Sequence, residues 1–365
     1  MKFSCLQQDL LPHLQALGRS VGVRSTLPVL DNILLSAEGK KLKLASTNLE
    51  IGVIRFLTVE VEEEGELTLP AKTLVEVVSG LGQSKVDFES QGEVATITSG
   101  KFKANINGIS ASEFPAIPMS SKEGLKLPKE AILSCSQILF ASAVDEGRPV
   151  LTGVLTEVKQ GVLDLVATDG FRLAHRKLEL SSKEIQFKSL IPRRTFEEIL
   201  KVLSETEVDE ITLAQSSDQN QIVFNLGQTI ISSRLIEGSF PAWEKIIPTQ
   251  IVSRVMVEKE EFLKALKLAA IFAKDTSIII LTITKEGLKL ESSAKELGTQ
   301  QNELEANIEG EQMKIAFNSK FLQDAASNSP GSQLMLEFSG PLSATLIKPV
   351  GVEGLEYIVM PVRTN

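Results

Sequence analysis

Apolar and polar residues follow two rhythms along this chain, and both rhythms recur in the same order three times. Where apolar positions alternate with polar ones, as in residues 32–46, the pattern predicts two strands joined by a Glu38-Gly39 turn. Where apolar positions recur every three or four residues, it predicts helices that bury one face. The helical stripes include Phe196, Ile199, Leu200 and Leu203, and further on Phe262, Leu266, Ala269 and Ala270.

Several stretches of the sequence are repeated at long intervals. Residues 67–81 match residues 189–203, and residues 316–326 repeat the middle of that segment. A second set consists of residues 42–53, 163–174 and 288–299. These intervals are far longer than the ~20–50-residue period of a solenoid. We therefore expect three homologous tandem domains, over residues 1–122, 123–250 and 251–365.

Each domain is expected to open with a short strand and to contain two helices. The opening strands are predicted at Lys2–Cys5, Leu125–Leu127 and Arg254–Val257. The helices are predicted over residues 6–21, 72–83, 129–145, 192–206, 258–275 and 318–329. Two helices on antiparallel, strand-rich sheets indicate an α+β fold in each domain.

A basic residue stands in the first turn of the second helix in all three copies. The residues are Lys72, Arg193 or Arg194, and Lys320. A single such residue is usually a solvated surface side chain. A positive charge is unfavourable beside the positive end of the helix dipole, so its recurrence in all three copies favours a common function.

The composition excludes several classes of protein. The 365 residues carry a net charge of −9, which disfavours general binding of nucleic acid unless the charges are segregated. The six predicted helices have a net charge of −1 and the remaining residues −8, so the acidity lies mostly in strands and loops. Two cysteines and two histidines in unrelated positions predict neither a disulfide framework nor a zinc site. Without a signal peptide or a membrane span, we expect a soluble, cytoplasmic protein.

The strongest candidate for a catalytic site is the set Asp169, Arg172 and His175. Its Thr-Asp-Gly sequence is also that of an ordinary hairpin turn. The corresponding segment of the first copy, Thr47-Asn48-Leu49, continues without a histidine, which argues against catalysis. Because the sequence also lacks a phosphate-binding loop, we expect no enzyme activity and no cofactor. An enzyme that uses Asp169 and His175 remains an alternative.

The whole chain resembles the bacterial sliding clamp, the beta subunit of DNA polymerase III. The resemblance rests on ten stretches in order: MKF, TLPVLDNILL, ASTNLEI, LPAK, EFPAIP, RPVLTGV, VATDGFRLA, IPRR, FPAWEKIIP and YIVMP. It implies three clamp domains per chain and a head-to-tail homodimer that forms a six-domain ring around duplex DNA. It also implies binding of DNA without sequence specificity, and tethering of a polymerase subunit, a clamp loader and other proteins with clamp-binding motifs.

The resemblance assigns residues to three surfaces. It implies that DNA is faced by Arg24, Lys72, Arg148, Arg193, Arg194 and Lys201. It implies a cleft for partner peptides formed by Leu151, Thr168, Gly170, Arg172, Leu173, Pro241, Ile246, Ile358, Met360 and Pro361. It implies a dimer interface that joins Ala104 and Ile106 to Ile271 and Phe272. A peptide-binding scaffold of the same fold that never encircles DNA is the alternative function.

Overall fold

The computed structural model describes residues 1–22, 27–119, 124–145, 147–180, 185–216 and 220–363. Contacts divide the chain into two compact units. The first unit comprises Met1–Lys129 and Glu198–Leu235, and the second comprises Glu130–Glu197 and Ile236–Asn365. Each unit therefore contains part of the middle third of the sequence.

Two α-helices occur in each third of the described sequence. They are α1 Gln7–Gly18, α2 Ala71–Gly80, α3 Lys129–Leu133, α4 Arg193–Glu205, α5 Lys259–Ile271 and α6 Ser319–Asn328. The predicted basic position is the second residue of α2, α4 and α6, where Lys72, Arg194 and Lys320 stand. The structure thus decides between Arg193 and Arg194 for that position.

The strands are short and numerous in every third of the described sequence. In the first third they are β1 Lys2–Leu6, β2 Asn32–Glu38, β3 Lys41–Thr47, β4 Ile51–Thr58, β5 Glu60–Glu63, β6 Gly65–Pro70, β7 Lys85–Gln91, β8 Val94–Ser99 and β9 Phe102–Asn107. In the middle third they are β10 Leu125–Pro128, β11 Gly153–Lys159, β12 Val162–Thr168, β13 Arg172–Glu179, β14 Phe187–Pro192, β15 Glu210–Gln215, β16 Gln221–Leu226 and β17 Thr229–Arg234. In the last third they are β18 Ser253–Glu258, β19 Ile278–Ile283, β20 Leu288–Ala294, β21 Gly298–Leu304, β22 Asn307–Gly310, β23 Met313–Asn318, β24 Gln333–Phe338, β25 Thr345–Pro349 and β26 Leu355–Val359.

The first unit contains two antiparallel sheets. One has the strand order β5-β1-β7-β8-β9, and the other has the order β10-β15-β16-β17-β4-β3-β2-β6. In the second sheet β17, from the middle third, pairs with β4, from the first third, with Ile231 opposite Val53. We call this β4–β17 pairing the first seam.

The second unit repeats this arrangement. Its sheets have the orders β14-β11-β12-β13-β26-β25-β24-β18-β22 and β21-β20-β19-β23. Here β13, from the middle third, pairs with β26, from the last third, with His175 opposite Glu356. We call this β13–β26 pairing the second seam. Continuous sheets across both seams explain why the contacts group the three sequence copies into two units.

The predicted helical stripes are buried as expected in α5. Phe262, Leu266 and Ala269 are fully buried there and Ala270 is half-buried, whereas Lys264 and Lys267 on the other face are exposed. The helix packs against α6 and against strands β20 and β21 within the second unit. In the first unit α1 packs against α2 in the same way.

The prediction of one long helix over residues 129–145 is wrong. The α-helix ends at Leu133 and continues as two short 3-10 turns, Ser134–Gln137 and Leu139–Ala141. The fully buried residues Ile132, Cys135, Ile138 and Ala141 are spaced by three, which is the period of a 3-10 helix. The Ser134 hydroxyl donates to the carbonyl oxygen of Ala131 at 2.7 Å, and such bonds compete with regular helical ones.

Candidate functional site

The loop between β12 and β13, residues 168–172, is held by its own side chains, and we call it the cleft loop. The Thr168 hydroxyl donates to the carbonyl oxygen of Arg172 at 2.6 Å and accepts from the N–H of Gly170 at 3.0 Å. The Asp169 carboxylate accepts from the N–H groups of Phe171 and Arg172 at 2.9 and 3.0 Å. Gly170 has a φ of 92°, which glycine adopts without strain.

The first unit contains a copy of this loop between β3 and β4. The Thr47 hydroxyl donates to the carbonyl oxygen of Ile51 and accepts from the N–H of Leu49, both at 3.0 Å. The Asn48 side chain accepts from the N–H groups of Glu50 and Ile51. Leu49 has a φ of 73°, the left-handed conformation of its glycine counterpart. These hydrogen bonds are therefore part of the repeated fold.

The guanidinium of Arg172 has partners on three elements of the second unit. Its Nε donates to Asp169 at 2.9 Å, one Nη donates to Asp324 at 2.6 Å, and the other donates to the carbonyl oxygen of Phe140 at 2.8 Å. Its Cζ lies 4.6 Å from the ring centroid of Phe321 and 5.3 Å from that of Phe140. The side chain is only 9% exposed, and its hydrogen bonds to Asp169 and Asp324 connect the cleft loop to α6.

The other predicted cleft residues differ in exposure. Leu151, Thr168, Leu173 and Ile358 are buried, like Arg172. Gly170, Pro241, Ile246 and Met360 are exposed, and Pro361 is half-buried. A main-chain hydrogen bond connects Met360 to the cleft loop, because the N–H of Met360 donates to the carbonyl oxygen of Phe171 at 3.0 Å. The exposed residues therefore frame the loop, and the buried ones support it.

An apolar cluster lies beneath this region of the second unit. Leu173 and Ile358 pack in it together with Trp243, which is the only tryptophan of the chain. Trp243 begins the 3-10 turn Trp243–Ile246. We call residues 241–246 the cleft segment, because they carry the predicted cleft residues Pro241 and Ile246.

His175 lies next to Trp243 and between two carboxylates. Its Nε2 is 2.7 Å from Asp164 and its Nδ1 is 2.9 Å from Glu356, while its ring centroid is 4.4 Å from that of Trp243. Burial lowers the pKa of His175, but hydrogen bonds and charges of Asp164 and Glu356 outweigh that effect and place the pKa above its ordinary value. Asp169, by contrast, pairs with Arg172. The residues of the catalytic alternative are thus divided between two clusters, each with its own partners.

Three of the predicted DNA-facing residues, Lys72, Arg193 and Arg194, lie in the first turns of α2 and α4, and Lys201 lies about two turns further along α4. Lys72, Arg194 and Lys201 are exposed, and Lys201 lies 3.4 Å from Glu198. Arg193 pairs with Glu197 one turn along α4 at 2.7 Å.

Two members of the predicted DNA-facing set have a different position. Arg148 is beside the cleft loop, with an Nη atom 3.3 Å from the place where a side chain on Gly170 would begin. Arg24 lies outside the described residues.

The predicted dimer residues stand on one strand and one helix end. Ala104 and Ile106 belong to β9, the edge strand of the five-stranded sheet. Ile271 is the last residue of α5 and is exposed, and the half-buried Phe272 follows it. An open sheet edge and an exposed apolar residue are each features that interfaces between subunits cover.

The sequence did not identify the partners of Arg172 and His175 that are distant in sequence. Asp324, Phe321 and Phe140 are distant from Arg172 in sequence, as Glu356 is from His175. Pairing across the second seam brings Glu356 to His175, and packing of α6 and of the 3-10 turn Leu139–Ala141 brings the other three residues to Arg172. The one available signal was the copy of the loop, because Ile51 and Ile54 stand where the second copy has Arg172 and His175.

Within the described ranges, no group of three or more His, Cys, Asp and Glu side chains could hold a metal ion. Among the same residues, no helix is long and apolar enough to span a membrane.

Comparison with known proteins gives the same family along the whole length. The family models for the N-terminal, central and C-terminal domains of the DNA polymerase III beta subunit match residues 1–118, 127–242 and 244–363. The beta sliding clamp of Synechococcus elongatus is 32% identical over 373 residues, which cover 100% of this chain and 99% of that protein. The beta sliding clamp of Staphylococcus aureus is 29% identical, with all of both chains covered.

Solved structures of two relatives have the same fold over the full length of both chains. The DNA polymerase sliding clamp of Bacillus subtilis superposes with a TM-score of 0.95 at 28% identity. The sliding clamp of Pseudomonas aeruginosa bound to griselimycin superposes with a TM-score of 0.94 at 27% identity.

Proposed function

Because the chain belongs to the DNA polymerase III beta subunit family, we propose that it works as a DNA sliding clamp and that the surfaces described above carry out that work. Two copies form a ring around duplex DNA and hold replication proteins on it. The protein raises processivity without catalysing a reaction. Its contribution is to make each rebinding of the polymerase intramolecular, at a high effective concentration.

The observation that carries this proposal is the pattern of the two seams. In each seam, a strand from one copy of the repeated domain pairs with a strand from the next copy. By their order in the repeat, β4, β13 and β21 are equivalent strands, and so are β9, β17 and β26. Seams join β4 to β17 and β13 to β26, whereas β21 and β9 lie at sheet edges. Pairing of these two edges between two chains repeats the same contact and closes a six-domain ring.

We assign Ala104, Ile106, Ile271 and Phe272 to that interface. The first two belong to the β9 edge, and the others end α5. A stable interface between proteins buries about 1,600 Å² in total. The two-fold symmetry of a head-to-tail dimer gives two such interfaces, so the ring has two sites at which it can open.

We place the DNA against the basic first turns of the second helices. Lys72, Arg194 and Lys320 stand at equivalent positions of three copies, so a dimer has six of them. We also retain Arg24, Arg148, Arg193 and Lys201 as proposed DNA-facing residues. Contacts to phosphates carry no sequence information, so such a ring can slide. The net charge of −9 disfavours binding of DNA elsewhere on the protein.

We assign the partner cleft to the cleft loop, the cleft segment and Met360. The exposed Ile246 and Met360 offer apolar contacts, and a flexible methionine suits a surface that accepts several peptides. The Pseudomonas aeruginosa clamp binds griselimycin, and we propose that this chain binds it at the cleft. We propose a DNA polymerase subunit and a clamp loader as natural partners, and the cytoplasm as the site of action.

Ring closure distinguishes the clamp from a scaffold that never encircles DNA. We expect sedimentation to give a mass twice the 39.7 kDa of the chain. After loading by a clamp loader, we expect the protein to remain on closed circular DNA in high salt and to leave the same DNA once it is linearised. A monomer, or equal retention on circular and linear DNA, would favour the scaffold instead.

Charge variants test the proposed DNA-facing surface. Replacing Lys72, Arg194 and Lys320 by alanine should weaken retention and lower the salt slope of log K by about 0.9 for each phosphate that is no longer neutralised. The matched control replaces Lys41, Lys126 and Lys188, three exposed lysines on strands, and should retain the original slope. Equal effects of the two sets would contradict the assignment.

A further inference from the structure

We propose that His175 is a positioning residue of the partner cleft, which in its doubly protonated form holds Trp243 and with it the cleft segment. This inference rests on the proposed function, because it assigns a control to the same peptide site. Its consequence is that binding of a partner peptide depends on pH.

The distances around His175 require one proton more than a neutral ring supplies. Both ring nitrogens lie within 2.9 Å of a carboxylate oxygen, one from Asp164 and one from Glu356. An ionised carboxylate only accepts hydrogen bonds, and a neutral imidazole has one N–H. With a neutral ring, one nitrogen lone pair would face a carboxylate lone pair at hydrogen-bonding distance. The geometry is therefore that of an imidazolium between two carboxylates.

The first seam shows that the fold does not need this charge. The residue equivalent to His175 is Ile54, which is fully buried and opposite Ile230. It packs in an apolar cluster with Ile117, the equivalent of Trp243. The same framework is thus built with aliphatic side chains in the first unit. A buried charge in the second unit is less favourable for stability than such packing, so we expect it to serve binding.

The link to the cleft runs through Trp243. Its ring lies against His175 at a centroid distance of 4.4 Å and is 7% exposed, so the imidazole forms part of the surface on which the indole packs. The tryptophan starts the turn that ends at the exposed Ile246, and it packs in the same cluster as Leu173, which follows the cleft loop. When His175 loses its proton, one carboxylate contact becomes repulsive, and the ring turns and releases Trp243.

The charged groups around the imidazole determine the direction of the effect. Asp164 faces it from β12 and Glu356 from β26, while on β13 itself Lys177 is the next residue on the same face. From the cleft segment, Glu244 and Lys245 are exposed to solvent. The two nearest groups are anions, so they favour the charged form. The cleft is then in its binding form at low pH, and binding weakens as pH rises through the pKa of His175, which lies above the ordinary histidine value of about 6.5.

The titration itself can be measured in the intact protein, because the chain has one tryptophan and two histidines. We expect Trp243 emission to change with pH and the ¹⁵N resonances of one imidazole to be those of a doubly protonated ring at neutral pH. His13→Gln removes the other histidine signal and should leave the emission change in place. A neutral His175 ring at pH 6, or an emission change that persists in His175→Gln, would overturn the inference.

Binding is then measured with griselimycin as the probe, by calorimetry from pH 6 to pH 9. We expect its affinity to fall about threefold to tenfold over that range in the original protein and in His13→Gln. His175→Gln should remove this dependence. The double variant His175→Ile, Glu356→Ile should also remove it, and it copies the aliphatic pairing of the first seam, so it provides a test if the glutamine variant does not fold.

The outcomes separate this inference from the proposed function. Griselimycin affinity that does not vary with pH in the original protein, or that varies equally in both His175 variants, overturns the inference and leaves the clamp function intact. Absence of griselimycin binding at every pH, in a protein that still remains on circular DNA, overturns the partner cleft and the inference with it. A pH dependence confined to proteins that retain His175 supports the inference.

Discussion

Replacing Arg172 by alanine tests whether one guanidinium fixes the cleft loop to α6. The side chain is 9% exposed and makes three charge-assisted hydrogen bonds. Removing one member of a buried ion pair typically costs about 3–5 kcal/mol, because the remaining charge stays buried. Each ring contact of the guanidinium adds about 0.5–1 kcal/mol.

The expected loss is smaller than the sum of these contributions, because both carboxylates keep other partners. Asp169 still accepts two backbone N–H groups, and Asp324 still lies 3.1 Å from Lys320. We therefore expect Arg172→Ala to lower the free energy of unfolding of the second unit by about 3 kcal/mol. Arg172→Lys should recover about half of that loss, because a single ammonium group cannot reach three partners.

Urea unfolding followed by Trp243 emission measures this change, since the only tryptophan lies in the second unit. The control is Lys320→Ala, which removes an exposed partner of the same Asp324 and should cost less than about 0.5 kcal/mol. The reasoning is refuted if Arg172→Ala costs less than about 1 kcal/mol or no more than the control. Peptide binding should weaken in Arg172→Ala as well, since the cleft loop loses its connection to α6.

Three further substitutions test single features of the first unit and of the second seam. Burial lowers the pKa of His13, and the charge of Arg55 lowers it further. The neutral His13 ring therefore stabilises the fold above about pH 6.5, and this stabilisation is lost on acidification. His13→Gln should flatten that part of a pH–stability curve. Gly354→Ala places a methyl group against the carbonyl oxygen of Lys177 at a φ of 69°, and should lower the urea midpoint by the equivalent of about 2 kcal/mol. Leu49→Gly relieves a φ of 73° and should raise the free energy of unfolding, measured by thermal unfolding, by about 1 kcal/mol.

The sequence predicted those parts of the fold that depend on local pattern. The opening strands, five of the six helices and the basic position in α2, α4 and α6 follow from periodicity and from the repeat. The single long helix predicted after Lys129 does not form, and the buried residues Ile132, Cys135 and Ile138 are spaced by three, the period of a 3-10 helix. The periods of the two helix types differ little over ten residues, and the serine-to-backbone hydrogen bonds favour the 3-10 form.

The surroundings of the candidate site could not be predicted from local pattern. The pairing of β13 with β26 brings Glu356 opposite His175, although 181 positions separate them in sequence. Similarly, the Arg172 guanidinium meets Asp324 and Phe321 only because α6 packs beside the cleft loop. Register and packing between distant segments decide such contacts, and a single sequence does not specify them.

The two copies of the cleft loop separate what the fold requires from what the site adds. Thr168 and Thr47 make the same hydrogen bonds, so the Thr168 hydroxyl is accounted for by the fold, although the family resemblance assigns this residue to the cleft. Asp169 differs from its counterpart Asn48 in having a second carboxylate oxygen, and that oxygen receives the Arg172 guanidinium.

Two isoleucines of the first copy, Ile51 and Ile54, correspond to Arg172 and His175. In the second copy both positions carry a cation. Asp324 on α6 pairs with Arg172, and Glu356 on β26 pairs with His175. The framework that the copies share needs neither cation, since the first seam forms with aliphatic residues at both positions. The second seam therefore differs from the first by charges that connect its loop to α6 and its sheet to Trp243, and those are the two connections that a peptide bound between the cleft loop and the cleft segment would depend on.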